Sequence, residues 1–146
     1  MPKRVLFLCT GNYYRSRLAE ELFNHRVRKA GLDWQASSCA LAIERGAEEN
    51  IGPISEYTVK ALSEFGISIR HPARFPVACT ERDFLEADLV IAMKEAEHRS
   101  LVETRFNAFA ASVAYWHVHD LDVVADFAET AKLVDVLVDK LILDIK

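Results

Sequence analysis

The stretch Val5-Leu6-Phe7-Leu8-Cys9-Thr10-Gly11-Asn12-Tyr13-Tyr14-Arg15-Ser16 decides how this chain is read. Val5 to Leu8 is a short, unbroken apolar run, the pattern of a strand buried on both faces. It stops at Gly11-Asn12. Behind it Leu18, Leu22, Phe23, Val27 and Ala30 recur at three- and four-residue steps up to Gly31, which predicts a helix ended by a glycine. A buried strand, a tight loop and a helix start, in that order, make a place where backbone amides can converge on an anion.

Working outward, Gln35 to Leu41 reads as a second strand, and residues 42–54, with Gly46, Gly52 and Pro53, as a long surface loop. Ser55 can cap a helix carrying Val59, Leu62 and Phe65, ended by Gly66. Ile67 to Phe75 is extended but broken by Pro72. Asp88 introduces Leu89-Val90-Ile91-Ala92-Met93, a strongly buried strand, with a short helix to about Arg105. Phe109 to Val118 is another strand candidate. Phe127, Ala131, Val134, Val138, Leu141 and Ile145 step by three and four, giving a long amphipathic closing helix. Strands alternating with helices predict an α/β fold: a single-domain three-layer sandwich over residues 1–146, with an open parallel sheet of about four strands and helices on both faces. Ligands of such sheets bind beyond the carboxyl ends of the strands, here the loops after Leu8, Met93 and Val118.

Composition narrows the class. A chain of 146 residues, 51% of them hydrophobic, buries enough surface to fold without a metal or disulfide staple. Its three cysteines do not make a disulfide scaffold, and an odd count leaves at least one thiol free, which points to a reducing, cytoplasmic setting. No apolar run approaches the ~18 residues of a membrane span, and the five apolar residues Val5 to Cys9 are too few for a secretory core. The net charge of −4 argues against nucleic acid and anionic membrane surfaces as partners. Residues 1–30 are nevertheless locally cationic, with seven basic groups against Glu20 and Glu21. Most of these belong on solvated helix faces; Arg15 and Arg17 stand out by position.

The chemistry sits in the loop after the first strand. Gly11 and Asn12 are the residue types that most readily take the positive φ a cradle of amides needs. Arg15 can grip two oxygens of a phosphate at once. Cys9 stands at the strand end, in surroundings that suit a sulfur anion, and the Ser16 hydroxyl can donate to that sulfur. A sulfur anion facing a gripped phosphate is a nucleophile facing an electrophile. Taken alone, a cysteine and an arginine six apart would be a buried strand end and a solvated helix residue; the Gly-Asn between them, the serine after and the flanking elements favour the cradle.

These residues resemble the opening of the low-molecular-weight protein tyrosine phosphatases: Val5-Leu6-Phe7-Leu8-Cys9-Thr10-Gly11-Asn12-x-x-Arg15-Ser16-x-x-Ala19-Glu20. The resemblance continues through Gly52-Pro53, Phe65-Gly66-Ile67, His71-Pro72-Ala73-Arg74 and Ala87-Asp88-Leu89-Val90-Ile91-Ala92-Met93 to the Asp120 region. It implies a phosphate-binding loop of Thr10, Gly11, Asn12, Tyr13, Tyr14, Arg15 and Ser16, with Cys9 as nucleophile forming a phosphocysteine and Arg15 holding the equatorial oxygens. It implies Ser38 and His71 as further supports of the loop alongside Asn12 and Ser16. No metal and no organic cofactor are implied. The expected partners are a phosphotyrosine-containing protein or small aryl phosphate, and inorganic phosphate or a similar oxyanion in the loop. Nothing in the sequence states the oligomeric state.

The departing oxygen needs a proton, and the same acid can then serve as base for the hydrolytic water. Within Trp116-His117-Val118-His119-Asp120-Leu121-Asp122 the resemblance puts that acid at Asp120. Leu121 stands where the family has proline and Asp122 where it has an aromatic residue, so Asp122 is the substitute acid if the loop is shifted. His117, His119 and the two aspartates could instead ligate a metal, but alternate residues of a strand would point the aspartates away from the histidines; a solvated polar turn is the other alternative.

Tyr14 stands where many members of the family have a second cysteine, so no vicinal disulfide with Cys9 can form, and Cys39 or Cys79 would have to serve any redox protection. Tyr13 and Tyr14 either wall the loop or pack outward. Three rival functions stand beside the phosphatase reading. They are an arsenate reductase with an incomplete cysteine relay, a phosphocysteine carrier, and a phosphate-binding module without turnover.

Overall fold

A computed structural model describes residues 1–120 and 127–146 of the chain. Four parallel strands, β1 (Lys3–Cys9), β2 (Trp34–Ala40), β3 (Leu89–Ala92) and β4 (Val113–Tyr115), lie in the order β2-β1-β3-β4. β1 is central, with Phe7 opposite Ser38 on one side and Ile91 on the other. The helices are α1 (Arg15–Ala30), α2 (Glu56–Glu64), α3 (Glu81–Glu86), α4 (Glu95–Arg105) and α5 (Phe127–Ile145).

The period of two along β1 divides its side chains between two cores. Val5, Phe7 and Cys9 pack with Leu18, Leu22 and Phe23 of α1, Leu62 of α2, and Val134 and Val138 of α5. Leu6 and Leu8 face the other way, onto Phe84 of α3 and Leu101 and Val102 of α4. Residues 5–9 are all buried, which is why the run is apolar without alternation. Each large side chain so buried contributes about 1.5–3 kcal/mol relative to its exposed state. The three-layer architecture expected from the sequence is the one found.

α1 ends where expected. Gly31 adopts φ 69°, and the amide of Leu32 reaches back to the Val27 carbonyl at 2.9 Å, a closure that needs the left-handed region. Ser55 caps α2 by accepting the Tyr57 amide at 3.1 Å.

Three features depart from the sequence reading. The strand expected over 109–118 is only Val113–Tyr115, because Asn107–Ser112 forms a 3-10 turn in which the Phe109 ring stacks on Phe84 at 5.0 Å. Helix α3 was not anticipated. It is short, yet its start is written in the sequence, since the Asp83 carboxylate accepts the Thr80 amide at 2.7 Å. Third, Cys39 and Cys79 are bonded to each other, a pairing the sequence reading does not contain, so neither sulfur is available to Cys9. Their bond joins the end of β2 to the segment before α3, alongside the bridge Ala40↔Ala78. Cys9 is the free cysteine. No described helix is long and apolar enough to cross a membrane.

The carboxyl ends of β1, β3 and β4 are stitched together. The Met93 amide donates to the Leu8 carbonyl at 2.9 Å, and the Val118 amide to that of Met93 at 2.8 Å. The order reverses about β1, so the loop after β1 and the loops after β3 and β4 open into one crevice.

Candidate active site

Cys9 ends β1 at 3% exposure, and its sulfur receives two contacts. The Asn12 amide donates to Sγ at 3.2 Å and Ser16 Oγ lies 2.9 Å away. Ser16 Oγ itself accepts from Asn12 Nδ2 at 2.9 Å, leaving its own proton for the sulfur. The positive φ foreseen for the loop falls on Asn12, at 52°, and not on Gly11. At Gly11 a Cβ would stand 3.1 Å from Asn50 Nδ2, a close approach to the end of one side chain.

Asn12 is wholly buried, and every polar atom of its amide is used. Nδ2 also donates to Ser38 Oγ at 2.8 Å, while Oδ1 accepts from Arg74 Nη1 at 3.1 Å and from the Val77 amide at 3.2 Å. Ser38 donates to Glu20, which also takes Arg74 Nη2 at 3.0 Å. Burial pushes the Glu20 carboxyl up despite the opposing hydrogen bond from Ser38 and charge of Arg74. Ser38 thus joins the loop's network and His71 does not. His71 is exposed, and its carbonyl accepts the Arg74 amide at 3.1 Å. Arg74, three residues on, reaches Asn12, Ser38 and Glu20 together.

Arg15 is buried, at 2% exposure. Its Nη1 donates to Glu97 Oε2 at 2.6 Å and to the Val118 carbonyl at 3.0 Å; Nη2 donates to Glu97 Oε1 at 3.1 Å. Burial works against the Arg15 charge, but Glu97 more than restores it. Burial likewise pushes Glu97 up, yet Arg15 overcomes this and takes its carboxyl down to about 2. Asp120 Oδ2 stands 3.6 Å from Arg15 Nη2, with its side chain 44% exposed. Asp122 lies outside the described residues. His117 and His119 are exposed, and no group of three or more His, Cys, Asp or Glu fit to hold a metal occurs among the described residues.

Cys9, Thr10, Gly11, Arg15, Glu97 and Asp120 border one small cavity of about 160 Å³, which a tetrahedral oxyanion fits. It adjoins a cleft of about 930 Å³ walled by Tyr13, Tyr14 and Tyr57, with Asp120 at their junction. The Tyr13 hydroxyl donates to the Ile51 carbonyl at 2.6 Å, and the buried Tyr14 ring meets Tyr57 edge-on at 6.2 Å. Both loop tyrosines therefore wall the cleft. The carbonyl of Tyr13 accepts the Ser55 amide and that of Tyr14 accepts Thr58 Oγ1, each at 3.1 Å, so α2 braces the loop's exit.

Sequence reasoning missed Glu97 and His98. Glu20 and Arg74 stood within the quoted motifs, but their pairing left no local signal.

The family described as "Low molecular weight phosphotyrosine protein phosphatase" matches residues 4–143. The protein-arginine-phosphatase of Bacillus subtilis is 31% identical over 109 residues, 75% of this chain and 67% of the relative. The human low molecular weight phosphotyrosine protein phosphatase is 33% identical over 102 residues, 68% of this chain and 60% of the relative. Among solved structures, the low molecular weight protein tyrosine phosphatase from T. tengcongensis superposes with a TM-score of 0.79 at 33% identity, covering 97% of this chain and 99% of that one.

Proposed function

We propose, from the premise that the chain belongs to the low molecular weight phosphotyrosine protein phosphatase family, that it hydrolyses aryl phosphate monoesters such as phosphotyrosine through a phosphocysteine on Cys9. The observation that carries this reading is the shared cavity. The free cysteine, a buried guanidinium and a half-exposed carboxylate border one oxyanion-sized space.

Cys9 Sγ, as thiolate, attacks phosphorus. The S–P bond forms as the P–O bond to the leaving group breaks, and Asp120 gives that oxygen its proton. Asp120, now a carboxylate, takes a proton from water as the water's oxygen attacks phosphorus. The S–P bond breaks, freeing inorganic phosphate and the thiolate. Arg15 stabilises the equatorial oxygens in both steps, and such charge stabilisation and positioning supply most of the rate in phosphoryl transfer. The hydrogen bonds onto Sγ from Asn12 and Ser16 suit both its attack and its departure as an anion.

Turnover of p-nitrophenyl phosphate, with Cys9→Ser as control, tests the proposal; a wild type no faster than that variant would leave phosphate binding alone. A second substrate class has a specific observation behind it. Glu49, Glu56 and Asp120 border the tyrosine-walled cleft, a carboxylate rim that suits the guanidinium of phosphoarginine. The tyrosine walls favour the aryl ester, and kinetics on matched phosphotyrosine and phosphoarginine peptides separates the two.

A further inference from the structure

We propose that Glu97 is a positioning residue of this site. It holds Arg15 by one edge so that the other edge meets the bound oxyanion, and Thr10 and His98 in turn hold Glu97. The inference rests on the phosphate-binding part of the reading above.

An arginine offers five N–H donors in a rigid fork. The end of the Arg15 fork is filled: Nη1 and Nη2 donate to the two oxygens of Glu97, and the second Nη1 proton goes to Val118. Left over are Nε and the outer proton of Nη2, the side-on edge of the same plane, with Asp120 Oδ2 standing 3.6 Å from Nη2. Among the described residues Nε donates to no protein acceptor. That edge alone can still offer two parallel hydrogen bonds, the number needed to grip two phosphate oxygens.

A carboxylate on the wall of an anion cavity repels the very ligand the cavity takes. Glu97 borders the cavity, so its presence needs a compensating reason, and orienting the guanidinium supplies one. Its own position is set by a one-directional chain. The Lys94 amide donates to His98 Nδ1 at 3.0 Å, so Nε2 of the neutral ring carries the proton. Nε2 stands 3.1 Å from Thr10 Oγ1, which spends its single proton on Glu97 Oε1 at 3.0 Å. His98 is fully buried, and burial, helped by the Arg15 charge, lowers its pKa to about 4. The ring therefore stays neutral at physiological pH and the direction of the chain does not reverse. Thr10 belongs to the phosphate loop itself, so the loop, α4 and the guanidinium are fixed to one another.

The opposite role, a latch that competes with phosphate for Arg15, predicts the opposite sign. Calorimetric binding of inorganic phosphate to Cys9→Ser and to Cys9→Ser/Glu97→Gln reads it without any turnover. Weaker binding in the second supports positioning; equal or tighter binding overturns it. This arm decides the matter even if the wild type proves no faster than Cys9→Ser, an outcome that would sink the hydrolase reading alone. With turnover, Glu97→Gln lowers kcat/KM for p-nitrophenyl phosphate by up to ~10²-fold, the cost of a small misplacement. It does so with little further loss in an Arg15→Lys background, since it acts through Arg15. Full additivity with Arg15→Lys overturns the proposal. Thr10→Val, which keeps shape and removes the hydroxyl, gives a smaller loss that Thr10→Ser rescues; an unrescued loss counts against the chain.

Discussion

Arg74 donates to the side-chain oxygen of Asn12 at 3.1 Å across 62 residues of sequence. Asn12 carries the loop's positive φ, so a residue well outside the loop helps hold the loop's least favourable backbone conformation. Arg74→Met removes that hold and leaves Glu20, which Arg74 pairs at 3.0 Å, without its cation. The expected cost is about 2 kcal/mol, between the values for exposed and buried pairs, together with a lower kcat/KM. Urea unfolding and steady-state kinetics measure the two. His71→Ala, by contrast, should fall within about 0.5 kcal/mol of wild type; a loss as large as that of Arg74→Met would restore His71 to the network.

The Asp120 carboxylate borders both the oxyanion cavity and the tyrosine-walled cleft, the place from which a leaving oxygen can be protonated. Asp120→Asn should slow esters of poor leaving groups much more than p-nitrophenyl phosphate, because only the former need the proton. A leaving-group series of substituted phenyl phosphates checks it. Uniform slowing would move the acid to Asp122 or to water.

Acid should destabilise the fold through His98. Its folded pKa of about 4 lies below the ordinary 6.5, so in that window the unfolded chain binds a proton that the folded chain refuses. Stability is complete above about pH 6.5 and falls as pH drops to about 4, by of order 3 kcal/mol from this group. Glu97, lowered to about 2, adds a further loss between its ordinary value and that pH. Urea midpoints across pH 4–7 for wild type and His98→Gln check the claim, with a flatter profile expected for the variant. Equal slopes would assign the acid loss to other groups.

The Cys39–Cys79 bond closes a loop of 40 residues, for which chain entropy gives about 4 kcal/mol of stabilisation. Cys39→Ser/Cys79→Ser should lose stability of that order. Alkylation in denaturant without reductant should label Cys9 alone, and with reductant all three cysteines; three labels in both conditions would remove the bond.

Much of this was legible in the sequence, for reasons that differ by element. β1 is buried on both faces and so shows as an uninterrupted apolar run, and α1 and α5 each write a stripe at helical spacing. The cradle was legible because its residues are contiguous. What holds the cradle was not. The Arg15–Glu97 and Arg74–Glu20 pairs join residues 82 and 54 apart, and an ion pair formed across a fold leaves no periodicity behind. The overlong strand at 109–118 has the same origin, since the apolar Phe109 answers to Phe84 and not to a strand neighbour. The reach of Arg74 to Asn12, Ser38 and Glu20 turns on side-chain length, which spacing does not encode.

The crevice draws on five separate pieces of chain: the loop after β1, Ser38, the stretch from Arg74 to Val77, the start of α4, and Val118 to Asp120. A nascent polypeptide halted on the ribosome before Glu97 would hold its sulfur with nothing yet to steer the guanidinium beside it. Assembly of the crevice therefore waits on the synthesis of residues 97–120.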